Sequence, residues 1–181
     1  MHKESLDYGY VLKTHDLSDT SLIVYIFLKN AGIIKTIARG AKSAKSPFTG
    51  TLELLNQVEI SYQKPRGNTD LHPLQEARVL ARYEGIRTSY ERLLMASYYS
   101  ALVEYWLEAQ QQDTSPVFAL FERAVEYANS GDPSWKGVTY FESELSNLLG
   151  YSSRSEEVRK IHQASERIKK LRDQVAKAWK V

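Results

Sequence analysis

Apolar and polar positions alternate along several short segments of the first 80 residues. In one of them Val58, Ile60 and Tyr62 fall on one face, and polar residues lie between them. Such segments, rich in β-branched and aromatic residues and separated by turn residues, favour a small antiparallel barrel or sandwich. The five predicted strands are Tyr8–Thr14, Thr20–Leu28, Ile33–Ala38, Leu54–Tyr62 and Leu71–Leu80.

From Tyr83 the apolar positions recur at steps of three and four residues, which is the helical period. Ser115 and Pro116 predict a helix start, as an N-cap followed by proline in the first turn. Gly150 is typical of a helix end. The predicted helices include Tyr90–Tyr105, Pro116–Ala128, Gly137–Leu149 and a last one from Ser153 to the end of the sequence.

A run of strands followed by a run of helices predicts an α+β chain or two separate domains. We expect a five-stranded β domain, a barrel or a sandwich, over residues 1–80 and an all-α domain over residues 81–181, which includes a basic C-terminal helix.

Composition excludes several kinds of site. The 181 residues include no cysteine, so disulfides, thiolate zinc sites, iron–sulfur clusters and cysteine nucleophiles are excluded. The most apolar stretch, Ser21–Leu28, is far shorter than the roughly 20 residues that span a bilayer, and the N-terminus resembles no signal peptide. We therefore expect a cytoplasmic protein without membrane contacts.

The net charge of +2 hides an uneven distribution. Between Lys29 and Leu52 there are five basic residues and no acidic one, and small residues separate Arg39, Lys42 and Lys45. This pattern predicts a loop that contacts a phosphate backbone, with a solvated loop of no function as the alternative. The candidate nucleic-acid-binding residues are Lys35, Arg39, Lys42, Lys45, Phe48, Lys64 and Arg66.

Aromatic residues near these cations could stack on bases. Tyr25 and Phe27 share one face of a strand, which could equally be core. Phe48 is the preferred stacking candidate because it lies inside the basic loop.

The chain also becomes basic towards its end, since residues 154–181 contain nine basic and four acidic residues. Apolar residues there follow a spacing of three and four. This helix either packs on its own domain or adds contacts to DNA or a partner. The cations available for such contacts are Arg154, Arg159, Lys160, Arg167, Lys169, Lys170 and Arg172.

No residue pattern predicts an enzyme. The four histidines lack metal-ligand spacing, and the glycines form neither a Walker loop nor a dinucleotide fingerprint. We therefore expect no catalytic residue, metal or cofactor. The helical carboxylates are expected on solvated faces; they are Glu104, Glu108, Glu122, Glu126, Glu142 and Glu144.

Two segments resemble the RecO family of bacterial recombination mediators. The stretch Ala38–Ser46 (ARGAKSAKS) is similar to the family's "kGarr.ks" signature, and its continuation to Ile60 follows the same pattern. Tyr140–Tyr151 (YFESELSNLLGY) resembles the "FEl.lL..lGy" motif of the family's helical core. The similarity covers roughly residues 5–151. It departs from the family in lacking the cysteine zinc module of many members and in ending soon after Tyr151.

The resemblance implies an N-terminal OB-fold and a helical domain in a cytoplasmic, nucleoid-associated bacterial protein. It also implies binding of single- and double-stranded DNA, strand annealing, and repair of gaps coated with single-strand-binding protein. The implied partners are RecR and the C-terminal tail of single-strand-binding protein. That acidic, hydrophobic tail would enter a groove of the helical domain, for which the candidate residues are Arg123, Tyr98 and Tyr105.

An alternative hypothesis stays open at this point. In it the protein is an interaction adaptor, whose helical domain binds a partner and whose barrel binds peptide or RNA.

Overall fold

The computed structural model describes residues 4–65, 67–107, 113–151, 163 and 165–180. The chain divides into two compact units, Met1–Arg82 and Tyr83–Val181. The strands of the first unit are β1 (Glu4–Asp16), β2 (Leu22–Leu28), β3 (Gly32–Ala38), β4 (Gln57–Gln63) and β5 (Leu71–Ala81). The second unit has a 3₁₀ turn at Glu84–Thr88, then α1 (Tyr90–Leu107), α2 (Ser115–Ser130), α3 (Trp135–Leu148) and α4 (Glu166–Ala178).

The strands form a closed barrel in the order β1-β2-β3-β5-β4, in which β4 also pairs with β1. Neighbouring strands are antiparallel except β3 and β5, which run parallel. The parallel pairing is short, from Lys35 opposite Leu71 to Ile37 opposite Pro73. The prediction of an α+β chain with a five-stranded barrel before a helical domain is confirmed.

The barrel core follows from the alternation of side chains along each strand. Val24, Ile26 and Leu28 are fully buried in the apolar cluster that β3, β4 and β5 complete. Gly9 lies where β1 approaches β2, and a Cβ atom there would overlap the carbonyl oxygen of Phe27. Only glycine fits at this position without displacing β2.

The segment between β3 and β4 is a series of tight turns whose apolar residues point inward. Phe48 and Leu52 belong to the barrel core. The buried Asn56 side chain donates to the carbonyl oxygens of Gly50 (3.2 Å) and Thr51 (3.0 Å), so it holds the end of this segment. The basic loop is therefore anchored to the barrel on its inner side.

In the helical unit α1 is the central helix, buried on most of its circumference and in contact with both α2 and α4. Arg92 of α1 donates to the carbonyl oxygens of Ala128 (2.7 Å), Asn129 (3.0 Å) and Gly131 (2.9 Å). These groups lie at and beyond the last turn of α2, where carbonyls lack helical partners. Arg92 thereby fixes the end of α2 against α1.

The last helix begins later than the sequence pattern predicts. Ser165 has extended backbone angles and its side chain accepts a hydrogen bond from the Ile168 amide, so it is the N-cap of α4. A continuous helix from Ser153 is therefore wrong, and the predicted start itself lies outside the described residues. The predicted apolar spacing is confirmed for Ile168 and Val175, which are fully buried.

Two carboxylates that were expected on solvated faces are buried instead. Glu142 of α3 is 1% exposed; it accepts from the Tyr98 hydroxyl (2.7 Å) and from Arg172 Nε (2.7 Å) and Nη2 (3.2 Å). Glu104 of α1 is buried and accepts from Arg167 at 2.9 Å. The expectation is corrected for both residues, because each binds an arginine of α4 and ties that helix to its own unit.

Candidate nucleic-acid interface

One face of the barrel carries an aromatic ring between two lysines. The register places Lys13 of β1 and Lys35 of β3 on either side of Tyr25 in β2. Their Nζ atoms lie 4.0 Å (Lys13) and 5.6 Å (Lys35) from the ring centroid, within cation–π range. The Tyr25 ring is half-buried and His15 meets it edge-on at 5.6 Å. We call Lys13, Tyr25 and Lys35 the outer-face row.

Lys35 is also bound to an acidic neighbour. Its Nζ lies 2.9 Å from Asp70 Oδ2, in the loop before β5. The hydrogen bond from Lys35 lowers the pKa of the Asp70 carboxyl, which is itself largely exposed. An exposed pair of this kind contributes little to stability, so a phosphate can compete for the lysine.

The three cations of the basic loop differ in their surroundings. Lys42 pairs with the exposed Asp16 (3.0 Å) and reaches the Ser18 carbonyl oxygen (3.4 Å). Arg39 and Lys45 are exposed, and neither has an ion pair with a carboxylate among the described residues. We call Arg39, Lys42 and Lys45 the loop cations.

The loop keeps its cations outside by a chain of turns. Backbone amides of Ser43, Ser46 and Thr49 donate to the carbonyl oxygens three residues before them, at 3.0–3.3 Å. Gly40 and Gly50 have positive φ angles of 69° and 67°, which L-residues rarely adopt. These turns leave the side chains of the loop cations facing solvent.

Phe48 does not present its ring to solvent. It is 6% exposed and packs in the barrel core, so its assignment as a base-stacking surface is corrected. The loop turns this residue inward, so that Phe48 and Leu52 of the same segment both lie in the buried core cluster. Tyr25 is the aromatic residue that the outer face offers instead.

The two remaining predicted cations, Lys64 and Arg66, are only partly described. Lys64 is exposed after β4, and Arg66 lies outside the described residues.

Sequence reasoning missed Lys13, because nothing in the sequence shows that β1 has a bulge between Val11 and Lys13 or that this strand pairs beside Tyr25.

The helical unit contains an apolar pocket of about 420 Å³ between α1, α2 and α3. Arg123 lies at this pocket, as do Leu120, Tyr127, Tyr140 and Phe141. Lys136 is a second basic residue there. The pocket-lining aromatic residues were not among the predicted residues, although their helical spacing was visible.

The two predicted tyrosines lie elsewhere. Tyr98 is fully buried and donates its hydroxyl to Glu142, so it offers no surface to a partner and that assignment is corrected. Burial, with the Glu142 carboxylate beside it, raises the pKa of Tyr98 far above its ordinary value. Tyr105 is 44% exposed and meets Trp106 edge-on at 5.4 Å.

One family model matches the first part of this chain, and individual relatives match 78–83% of it. The model of the recombination protein O N-terminal domain matches residues 1–83. A DNA repair protein RecO of Rhodopirellula baltica is 36% identical over 146 residues, 78% of this chain and 52% of the relative. RecO of Syntrophus aciditrophicus is 30% identical over 80% of the chain and 55% of the relative. RecO of Pelobacter propionicus is 32% identical over 83% of the chain and 60% of the relative.

The chain thus spans a little over half the length of these relatives. The family match includes the barrel, with its outer-face row and loop cations, and the alignments extend into the helical unit. By these matches, residues 1–83 belong to the recombination protein O N-terminal family, and the chain is similar to RecO DNA repair proteins over 78–83% of its length.

Proposed function

We propose that this chain is a non-enzymatic mediator of recombinational DNA repair, which binds single- and double-stranded DNA and anneals complementary strands. The observation that carries the proposal is the grouping of the outer-face row with Arg39, which follows the last residue of β3 and lines a pocket together with Ile37 of that strand. Cations beside an aromatic ring on a small barrel are the pattern of single-strand binding by OB-folds.

The physical basis of annealing in this proposal is charge neutralisation. Two DNA strands repel each other through their phosphates, and lysine or arginine contacts release the counterions that otherwise screen them. Within the described part of the chain, Arg39 and Lys45 have no ion pair that must break before they bind phosphate. Lys42 and Lys35 exchange an exposed carboxylate for a phosphate, at small cost.

The relatives support the role, because each carries the name of a DNA repair protein. By analogy with its family, the chain would act at the nucleoid on gaps coated with single-strand-binding protein, with RecR as a partner. None of these steps needs a cofactor or a catalytic group of the chain.

The test is fluorescence anisotropy of a labelled single strand over a salt series. A double variant, Arg39→Glu with Lys45→Glu, removes two phosphate contacts, so the salt slope should fall by about 1.4 and the affinity should fall with it. The matched control is Lys169→Glu with Lys170→Glu, the same charge change on an exposed face of α4. Equal losses in both variants, or no loss in the first, would overturn the barrel assignment.

We further propose that the apolar pocket of the helical unit receives the C-terminal tail of single-strand-binding protein. Tyr127, Tyr140 and Phe141 offer an apolar wall, and Arg123 and Lys136 offer charges for the tail's carboxylates. A labelled acidic peptide with an apolar C-terminus should bind the chain, and Arg123→Glu should weaken it at least tenfold by placing like charges together. Lys170→Glu is the control, and an equal effect there would refute the pocket.

The adaptor hypothesis makes the opposite prediction for the annealing of DNA strands. As an adaptor, the chain would bind its peptide partner through the same pocket but would not accelerate pairing of DNA. Complementary oligonucleotides coated with single-strand-binding protein separate the two, with RecR supplied. Annealing that depends on Arg39 and Lys45 supports the mediator, whereas peptide binding without annealing supports the adaptor.

A further inference from the structure

A second cavity lies on the barrel where β3 and β5 part. These strands pair only from Lys35 and Leu71 to Ile37 and Pro73, and the next residue of β5, Leu74, is opposite Tyr62 of β4. The cavity beside this junction measures about 330 Å³. We call it the β3–β5 pocket; its lining consists of Ile37, Arg39, Gln63, Thr69, Leu71, Pro73, Leu74 and Gln75.

The pocket combines an apolar part with a polar part. Leu74 is buried in the core and Ile37, Leu71 and Pro73 are half-buried, so they form an apolar base. The polar part holds two side-chain amides, a hydroxyl and a guanidinium, and none of the residues lining the pocket is acidic. Each glutamine amide offers donors and an acceptor at once.

This chemistry matches a nucleobase better than a peptide side chain or a lipid. A base has flat apolar faces and an edge of alternating donors and acceptors, which an apolar base with two amides can satisfy together. The volume is at the low end of small-molecule sites, about 300–1,000 Å³, which suits one base and not a longer segment.

The pocket is continuous with the phosphate-binding residues. Arg39 belongs both to the pocket lining and to the loop cations. Leu71 of the pocket is opposite Lys35, the end of the outer-face row. Asp70, the nearby acidic residue in sequence, is paired with Lys35, which offsets its repulsion of an approaching phosphate. A strand held by Arg39 therefore has a base beside the pocket.

We propose that the β3–β5 pocket takes one unstacked base of a single DNA strand, read at its edge by Gln63 and Gln75 while Arg39 holds the adjacent phosphate. The inference rests on the proposed DNA binding and adds a base-dependent part to it. In duplex DNA a base must first be flipped out of its stack and its pair, and this costs free energy. In a single strand no base pair has to be broken. The pocket thus favours single strands over duplex.

Abasic DNA distinguishes the contribution of the base to affinity from that of the phosphate. The full chain is titrated with a labelled thymine oligonucleotide and with a strand of equal length made of abasic spacers. We expect the intact strand to bind about tenfold tighter, from hydrogen bonds each worth about threefold, with the same salt slope for both. Gln63→Ala with Gln75→Ala should lower this ratio to the part that stacking on Tyr25 supplies and leave binding of the abasic strand unchanged.

The controls keep a folding defect apart from a lost contact. Gln174→Ala in α4 removes the same group outside the barrel and should leave the ratio intact. Thr69→Ala removes the hydroxyl of an exposed pocket residue, which also accepts from the Leu71 amide (3.2 Å), and it should lower the ratio modestly. A 2-aminopurine base in the strand should change its fluorescence on binding to the unchanged protein and not to the double glutamine variant.

Each outcome decides a different point. Equal affinity of the unchanged protein for intact and abasic strands overturns the base pocket and leaves the proposed DNA binding standing. Failure to bind either strand overturns the proposed DNA binding itself. A glutamine variant that loses affinity for both strands equally refutes base reading by these amides.

Discussion

The basic loop of the barrel and the last helix carry similar cations in different surroundings. Arg39 and Lys45 of the loop are exposed, and Lys42 pairs with a carboxylate that is 73% exposed. In α4, Arg167 and Arg172 instead bind Glu104 and Glu142, whose side chains are 9% and 2% exposed. A cation bound to a buried carboxylate belongs to the fold, whereas one beside an exposed carboxylate stays available to a ligand.

The energetics of the two settings differ in the same sense. Exposed ion pairs are worth about 0–1 kcal/mol, so the loop cations contribute almost nothing to the stability of the barrel. Removing one partner of a buried pair costs about 3–5 kcal/mol. Although burial lowers it, the hydrogen bond and charge of Glu142 raise the pKa of Arg172 overall, as expected for a guanidinium held by a carboxylate. Charge counting alone would have rated both segments as ligand surfaces.

The largest expected effect tests the inner side of the loop. Phe48→Ala removes a buried ring, so the free energy of unfolding of the barrel should fall by about 3 kcal/mol or more. Phe48→Leu keeps an apolar side chain and should cost about 1 kcal/mol with DNA affinity unchanged. Hydrogen exchange of barrel peptides measures the first effect, and anisotropy the second. A stacking role would instead show as a loss of affinity in Phe48→Leu without a loss of stability.

The second prediction concerns the anchor of the last helix. Glu142→Ala leaves Arg172 and the Tyr98 hydroxyl without their acceptor, and the helical unit should lose about 3 kcal/mol of unfolding free energy. All three tryptophans lie in this unit, at 106, 135 and 179, so tryptophan fluorescence in urea reports its unfolding. DNA affinity should stay the same.

Glu144→Ala on the same helix is the control, because Glu144 is half-exposed. Its effect should stay within about 0.5 kcal/mol. A similar loss in both variants would mean that the buried pair contributes nothing specific to the packing of α4.

The alternation of apolar residues predicted a small barrel or sandwich, because a strand with one buried face has apolar residues at a period of two. The resemblance to a known family then favoured the barrel. The helical unit followed from its period in the same way. What could not be predicted depends on long-range pairing. From the sequence, Glu142 is expected at the surface, but α4 places Arg172 against it. Phe48 is expected as an aromatic residue of an exposed loop, but it packs in the barrel core.

The candidate site shows the same division. Arg39, Lys42 and Lys45 were visible as a local run of cations. Lys13 became part of the site only through its register beside Tyr25, 12 residues further along the chain. The β3–β5 pocket likewise joins residues from three strands and two loops, and no local pattern contains it.

The prediction with the smallest expected effect tests whether Lys42 is as available to phosphate as Arg39 and Lys45. Asp16→Asn removes the carboxylate that Lys42 contacts at 3.0 Å, so binding of a single strand should tighten about twofold and the salt slope should rise by at most about 0.7. Asp19→Asn is the matched control, an exposed carboxylate in the same β1–β2 connection with the same change of net charge. If both variants tighten binding equally, the gain comes from net charge alone and Lys42 is no different from Arg39 and Lys45. A larger gain for Asp16→Asn means that the exposed pair competes with phosphate, so even a weak surface ion pair sets how much of the loop's charge reaches the DNA.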